Sequence, residues 1–486
     1  MNNSHFSNPL LLIFLLAAAA CCSSCASTGK KELQENPNIV YILVDDMGYG
    51  DLGTYGQEII ETPHLDKLAA EGIKFTQHYA GSTVCAPSRA SLMTGRDTGH
   101  SRVRGNYETG KYSFGGELEL REEDLTIGEL LQDRAGYRTA VIGKWGMGMN
   151  GSSGEPKNKG FSYSYGFLNQ AHAHWHYPTY LFRNGEKVKV AENQNGKREY
   201  FSNDIFTDDA VEFIKEPKKK PFFLYLALTT PHAEMLVPED SIFENYKGKF
   251  EEVPFVRGKQ GSDGIDSLGV YHSQAYPKAA YASMITRIDN DVNRIIQALK
   301  DGGLDTNTLV MFSSDNGSHS EGGANPEYFD SNGLLRGAKR DLYEGGIRVP
   351  FIAWWPGTIK PRQVSDHISS FWDVMITLAE LVDLNIEDVE TEGISFVPTL
   401  MGNTLKQEKH DYLYWEFHEG KHSHQAIREE RWKAIRKNPL GNIELYDLKT
   451  DLSEESDVAR NFPEIVEQMK RKMDTTRTEN PYWPLK

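Results

Sequence analysis

The chain has 486 residues, 39% of them hydrophobic and 11% aromatic, with a formal net charge of −16. That composition supports a large buried core and excludes a disordered chain. The acidic balance also excludes a nucleic-acid binder, whose phosphate contacts need a basic surface, so an anionic ligand here requires a local cluster of cations.

Residues 10–20 read LLLIFLLAAAA and run into CCSSCASTG. The apolar run is shorter than the roughly 20 residues of a membrane span and has the length of a signal-peptide core. Ala18, Ala19 and Ala20 before Cys21 resemble a bacterial lipobox. Residues 1–25 therefore read as an export signal with lipidation at Cys21. The expected location is the periplasm or the outer-membrane or cell surface, with the N-terminal lipid as membrane attachment. The preceding MNNSHFSNP carries no Lys or Arg, which such a signal usually has. Three of the four cysteines lie here, and the body of the chain keeps one thiol, Cys85.

Residues 36–405 alternate apolar strands with amphipathic helices. NIVYILVDD (38–46) is a strand ending in two aspartates. A helix follows at 62–72, with Thr62 as N-cap, Pro63 at its first position and Gly72 as its stop. Further helices are expected at 126–137 and 207–216, and strands at 138–145 and 221–230. The longest helix is expected at 279–300, where Met284, Ile285, Ile288, Val292, Ile295, Ile296 and Leu299 recur at helical spacing. Strands at 308–317 and 349–355 and a helix at 371–383 complete the set. Strands apolar on both faces with helices between them predict an α/β fold, a large and mainly parallel sheet covered on both sides. From 406 to 486 the short half-polar runs LYWEFHE, SHQAIREE, WKAIRK and IELYDL predict a small antiparallel sheet, closed by a helix near 463–474.

Asp45–Asp46 and Asp315–Asn316 each follow an apolar strand and precede a glycine-containing turn. Ligand sites in open parallel sheets form beyond the carboxyl ends of the strands. Two such strands side by side would bring three carboxylates and an amide oxygen together, which repel unless a cation lies between them. All-oxygen donors favour Ca²⁺, with Mg²⁺ as the alternative. Lys144 ends a strand, His232 follows another, Arg89 lies four residues past Cys85, and Lys339 falls after the second acid pair. Cations beside a divalent ion point to an oxygen-rich anion.

Around Cys85 there is no CxxC, and Ser91 breaks the C-x5-R pattern of cysteine phosphatases. CAPSRASLMTGR (85–96) instead closely resembles the signature of the sulfatase family. Five further segments resemble family motifs in the family's order: NIVYILVDDMGYGDLGTYG, AGYRTAVIGKWGMG, TTPHAEMLVP, SSDNG and GAKRDLYEGGIRVPFIAWWPG. The C-terminal LYDLKTDLSEESDVA adds to them. The resemblance covers roughly residues 37–460. It implies an alkaline-phosphatase-like fold and hydrolysis of sulfate monoesters, with Cys85 oxidised to formylglycine by a maturation enzyme before export. It further implies that Asp45, Asp46, Asp315 and Asn316, together with the modified Cys85, hold the metal. Arg89 would hold the formylglycine and metal region, Lys144 and Lys339 would bind sulfate oxygens, and His232 would protonate the leaving alcohol.

The chain departs from the family in one place. The common G-K-W-H motif places a histidine on the formylglycine, where this chain has Gly146. His172, His174 and His176, expected on one face of a strand, are candidates to replace it. Candidate sugar contacts are His100, Arg104, Asn106, His174, Trp415 and His418. The expected substrate is a sulfated carbohydrate, with a lean to galactose or N-acetylgalactosamine sulfated at O4. Two other readings stay open: a formylglycine phosphodiesterase or phosphonate monoester hydrolase, and a catalytically inactive glycan-binding protein.

Overall fold

Strand β1 (Asn38–Asp45) is buried along its whole length. Side chains alternate across a strand, so its two faces enter different cores. Val40, Ile42 and Val44 join one apolar cluster, and Ile39, Tyr41 and Leu43 join another. Such a strand must lie inside a sheet covered on both sides. The computed structural model describes residues 1, 36–106, 117–217, 219–256 and 271–486. The apolar N-terminal run and Cys21 lie outside the described residues.

In chain order, β1 is followed by helix α1 (Pro63–Glu71), β2 (Ile73–Tyr79), α2 (Cys85–Thr94), β3 (Arg138–Lys144), β4 (Tyr163–Phe167), β5 (Tyr180–Arg183) and β6 (Glu186–Lys189). Then come α3 (Ser202–Lys215), β7 (Phe222–Pro231), α4 (Pro277–Asp301), β8 (Thr308–Ser314), β9 (Arg348–Trp354), β10 (Gln363–Ser365), β11 (Ser369–Ser370) and α5 (Asp373–Leu381). The strands form one sheet in the order β10-β2-β9-β8-β1-β7-β3-β4-β5-β6, with β11 also beside β2. The centre, β8-β1-β7-β3-β4, is parallel throughout.

The expected parallel sheet breaks at β9, which runs antiparallel to β8 and β2. The cause lies in the connection from β8. A Cβ on Gly317 would lie 1.8 Å from the Gly345 carbonyl oxygen, so the turn before β9 is packed onto the turn after β8. The chain is thus still at the carboxyl end of β8 when β9 begins, and β9 must run back.

Two helix starts show what sequence reading catches. Thr126 and Glu129 form a reciprocal capping box, as a helix opened by Thr126 predicts. That helix is shorter than expected, one α-turn (Ile127–Glu129) widening into a π-turn (Leu130–Arg134). Thr62 does not cap α1. Its hydroxyl accepts from Gly53 N (2.9 Å). The first-turn N–H groups of His64 and Leu65 instead donate to Asp289 on α4, at 3.2 and 2.7 Å.

The second sheet is antiparallel, β12 (Leu413–Phe417), β13 (His424–Glu429), β14 (Trp432–Arg436) and β15 (Ile443–Asp447), followed by α6 (Pro463–Thr475). One face packs Leu413, Trp415, Phe417, Ala426 and Ile435 against Tyr79, Val84 and Trp372 of the main body. The other packs Tyr414, Ile427 and Leu445 against Met469 and Met473 of α6. Residues 37–486 form one compact unit.

Two buried histidines make this fold acid-sensitive. His78 is stacked on Phe351 with ring centroids 4.1 Å apart, and burial pushes its pKa down to about 3. Burial, aided by Lys187, also pushes His172 down to about 3. Both titrate near 6.5 when unfolded, so the stability that neutral burial provides is present above pH 6.5 and lost as pH falls towards 3. At pH 5 each costs about 2 kcal/mol. Urea unfolding of His78→Leu is expected to show a pH dependence between 7 and 5 shallower by about 2 kcal/mol. An unchanged slope would refute this assignment.

Candidate active site

Register builds the site. Val44 of β1 lies opposite Ser314 of β8, so Asp45–Asp46 and Asp315–Asn316 leave the sheet side by side. Asp46 takes the left-handed conformation (φ 67°), and its N–H donates to Asp315 Oδ1 (3.1 Å). The next strands outward end at the cations, β7 running into His232 and β3 ending at Lys144. Four neighbouring strand ends therefore supply both charge signs.

Cys85 is the first residue of α2 and is 3% exposed. Arg89 lies one turn on, at the i+4 position that shares its face. Its guanidinium reaches Asp315 Oδ2 (2.8 and 2.9 Å) and donates to the Lys144 carbonyl (2.9 Å). Lys144 Nζ donates to Asp45 Oδ2 (2.6 Å). Lys339 Nζ sits 2.7 Å from Asp46 Oδ2 and 2.7 Å from His232 Nε2. Because Lys339 can only donate, His232 Nε2 is the acceptor and its Nδ1–H donates to the Ala233 carbonyl.

The electrostatics follow. Burial and then the charge of Lys339 hold His232 well below the usual imidazole range. Burial opposes the charge on Lys339, but Asp46 and Glu321 outweigh it and keep its pKa well above normal. Burial, then Asp45, raises Asp315 to about 7. Burial pushes the Cys85 thiol up to about 11.

The residues present fit a metal. Oxygens of Asp45 and Asp315 and the sulfur of Cys85 lie within 4.8 Å of one another. Among the described residues, Asp45 Oδ1 and Asn316 Oδ1 are buried with no hydrogen-bond partner. Two orphaned oxygens beside three clustered carboxylates are what a hard cation would satisfy.

A cavity of about 150 Å³ opens beside Cys85, lined by Asn106, Glu117, Asn169, Gln170, His174, His232, Tyr271, Glu321, Lys339 and Arg340 among others. Of the expected sugar contacts, Asn106 and His174 are here. Asn106 Oδ1 accepts from the Ala86 N–H (3.2 Å), and His174 stacks on His232 (4.4 Å between centroids). The others lie elsewhere and correct the sequence reading. Trp415 is fully buried and donates to the Ala80 carbonyl. Arg104 and His418 both pair with buried Glu416, at 2.7 and 2.8 Å. His100 pairs with Asp97 and Glu392. The three alternating histidines do not share a strand face, because His172–His174 is a 3₁₀ turn. His172 packs between Phe167 and Tyr180, and His176 donates to the His232 carbonyl (2.9 Å). Sequence reading missed His319, stacked on the other side of His232 (5.5 Å), and also Glu321, Gln170 and Arg340. None sits in a pattern that marks it.

Comparison with known proteins agrees with this geometry. The family model Sulfatase matches residues 37–384, and the model N-sulphoglucosamine sulphohydrolase, C-terminal, matches 337–479. The chain is 31% identical over 399 residues to the N-acetylgalactosamine-6-sulfatase of Homo sapiens, covering 78% of this chain and 68% of that protein. It is 28% identical to the N-acetylgalactosamine-6-O-sulfatase of Bacteroides thetaiotaomicron, covering 91% of this chain and 94% of that one. The crystal structure of Ps i-CgsB in complex with k-i-k-neocarrahexaose superposes with a TM-score of 0.76 at 27% identity, covering 93% and 95% of the two chains. The chain belongs to the sulfatase family, enzymes that hydrolyse sulfate esters.

Proposed function

We propose that this protein removes sulfate from a sulfated glycan, with Cys85, oxidised to formylglycine by a maturation enzyme, as nucleophile. The observation that carries this reading is the meeting of Cys85, the Asp45/Asp46/Asp315/Asn316 oxygens and three buried cations at one end of the sheet. Hydrated formylglycine would supply a hydroxyl to attack sulfur. Asp45, Asp46, Asp315 and Asn316, with the modified Cys85, would hold Ca²⁺ or Mg²⁺, which offsets negative charge on the sulfate oxygens. Arg89 holds the floor of the site by bridging Asp315 and the end of β3. Lys144 and Lys339 donate to sulfate oxygens. The leaving alcohol takes its proton from the Lys339–His232 pair, which already shares a hydrogen bond at 2.7 Å.

The sugar is a galactose-type residue. The two named relatives act on N-acetylgalactosamine at O6, so O6 is favoured over the O4 expected from sequence. Export and attachment by a lipid on Cys21 belong to the same reading, supported by the apolar run and the alanines before Cys21. The test is mass spectrometry of the Cys85 peptide from a host with a maturation enzyme, with sulfate release from N-acetylgalactosamine 4- and 6-sulfates. A loss of about 18 Da and release from one isomer are expected. An intact thiol in that host would remove the nucleophile.

A further inference from the structure

Gly146 lies in the left-handed region (φ 75°), and a Cβ built on it would lie 1.9 Å from Gln170 Nε2. The Gln170 side chain therefore fills the space that any side chain at position 146 would need. It is held there from three sides. Its backbone N–H donates to Glu117 Oε1, its carbonyl accepts from Ala173 N (3.1 Å), and its Nε2 points at the Gly146 carbonyl (3.4 Å). Gln170 is 7% exposed and lines the same cavity as Cys85, His174 and Lys339. Among the described residues its Oε1 is buried with no donor.

A sulfate ester offers only acceptor oxygens, so the groups that grip it must donate, as Lys144 and Lys339 do. A buried acceptor fixed in the same cavity has no use for sulfate. It fits a hydroxyl. Resting on the sulfate-ester reading of this site, we propose that Gln170 Oε1 accepts a hydrogen bond from a sugar hydroxyl beside the ester. Gln170 is then a specificity-determining residue, selecting polyhydroxylated leaving groups over plain aryl ones.

The test compares wild type, Gln170→Met and Gln170→Glu on two esters, N-acetylgalactosamine 6-sulfate and 4-nitrophenyl sulfate. Methionine keeps the length and removes the acceptor. Glutamate keeps the acceptor. Gln170→Met is expected to lose 10- to 100-fold in kcat/KM on the sugar ester and less than threefold on the aryl ester, with unchanged thermal unfolding. Gln170→Glu is expected to retain more of the sugar activity than Gln170→Met. A sugar ester lacking the neighbouring hydroxyl should react equally with wild type and Gln170→Met. Equal losses on both esters would make Gln170 a nucleophile-positioning group, and no loss would make it filler. Either result overturns this proposal alone. Wild-type protein that hydrolyses neither ester overturns the proposed sugar substrate, and this proposal with it.

Discussion

Replacing Cys85 by alanine is expected to lower sulfate release by roughly 10⁴-fold or more while leaving glycan binding within a few-fold of wild type. The two halves of this result have separate causes. Lys144 and Lys339, proposed above to grip the sulfate, are held by Asp45 and Asp46 and not by Cys85. The nucleophile does depend on it. An unmodified thiol is a poor substitute, because it lacks the paired hydroxyls of a hydrated aldehyde, one to attack sulfur and one to reform the carbonyl as sulfate leaves. Protein made in a host without a maturation enzyme should therefore be as inactive as Cys85→Ala. Sulfate-release kinetics and equilibrium binding on both preparations check this. A glycan-binding protein built on an inactive scaffold would show no difference between Cys85→Ala and wild type in either assay.

The largest expected loss of stability comes from Lys433→Met, at about 3–5 kcal/mol. Lys433 is completely buried, with Nζ 2.9 Å from Glu344 Oε1 and 3.0 Å from Glu454 Oε1. Glu344 is further held by Tyr79 and Arg348, at 2.7 and 3.2 Å, and its N–H donates to Glu454 (2.6 Å). Removing the lysine leaves two carboxylates in a dry interface between the sheets. Burial, partly offset by Lys433, already lifts Glu454 to about 7. A carboxyl raised in the folded state costs stability as pH rises through that value, so the loss should be larger at pH 8 than at pH 6. Adding Glu454→Gln to Lys433→Met should recover part of it. Denaturant unfolding of the three proteins at both pH values measures all of this. A loss below 1 kcal/mol would show that the pair contributes little.

The carboxyl-end cluster was legible because each acid pair directly follows an all-apolar strand, and parallel pairing of two such strands leaves one outcome. The direction of β9 was not, since an apolar heptapeptide reads the same either way and only the Gly317–Gly345 contact decides it. Trp415 and His418 were misread because β12 looks half-polar in sequence while both its faces are covered: Trp415 packs against Tyr79 and Trp372, and His418, just past the strand, pairs with buried Glu416. Arg104 was expected to meet the sugar. Its partner Glu416 lies 312 residues away, and no local pattern announces it. The same holds for Gln170, whose meaning depends on touching Gly146 across 24 residues.

The strand order also sets a timetable for synthesis. Strand β1 leads the chain but stays an unpaired edge until β7 appears, and its other edge waits for β8. Arg89 meets Asp315 only after 226 further residues have been made. During that interval the start of α2 lacks the Asp315 contact that anchors Arg89 in the fold, and Cys85 is not yet enclosed. Once β8 docks, the residue is enclosed. The proposed oxidation of Cys85 would therefore have to come before β8 docks, and a folded molecule that missed the interval would keep its thiol.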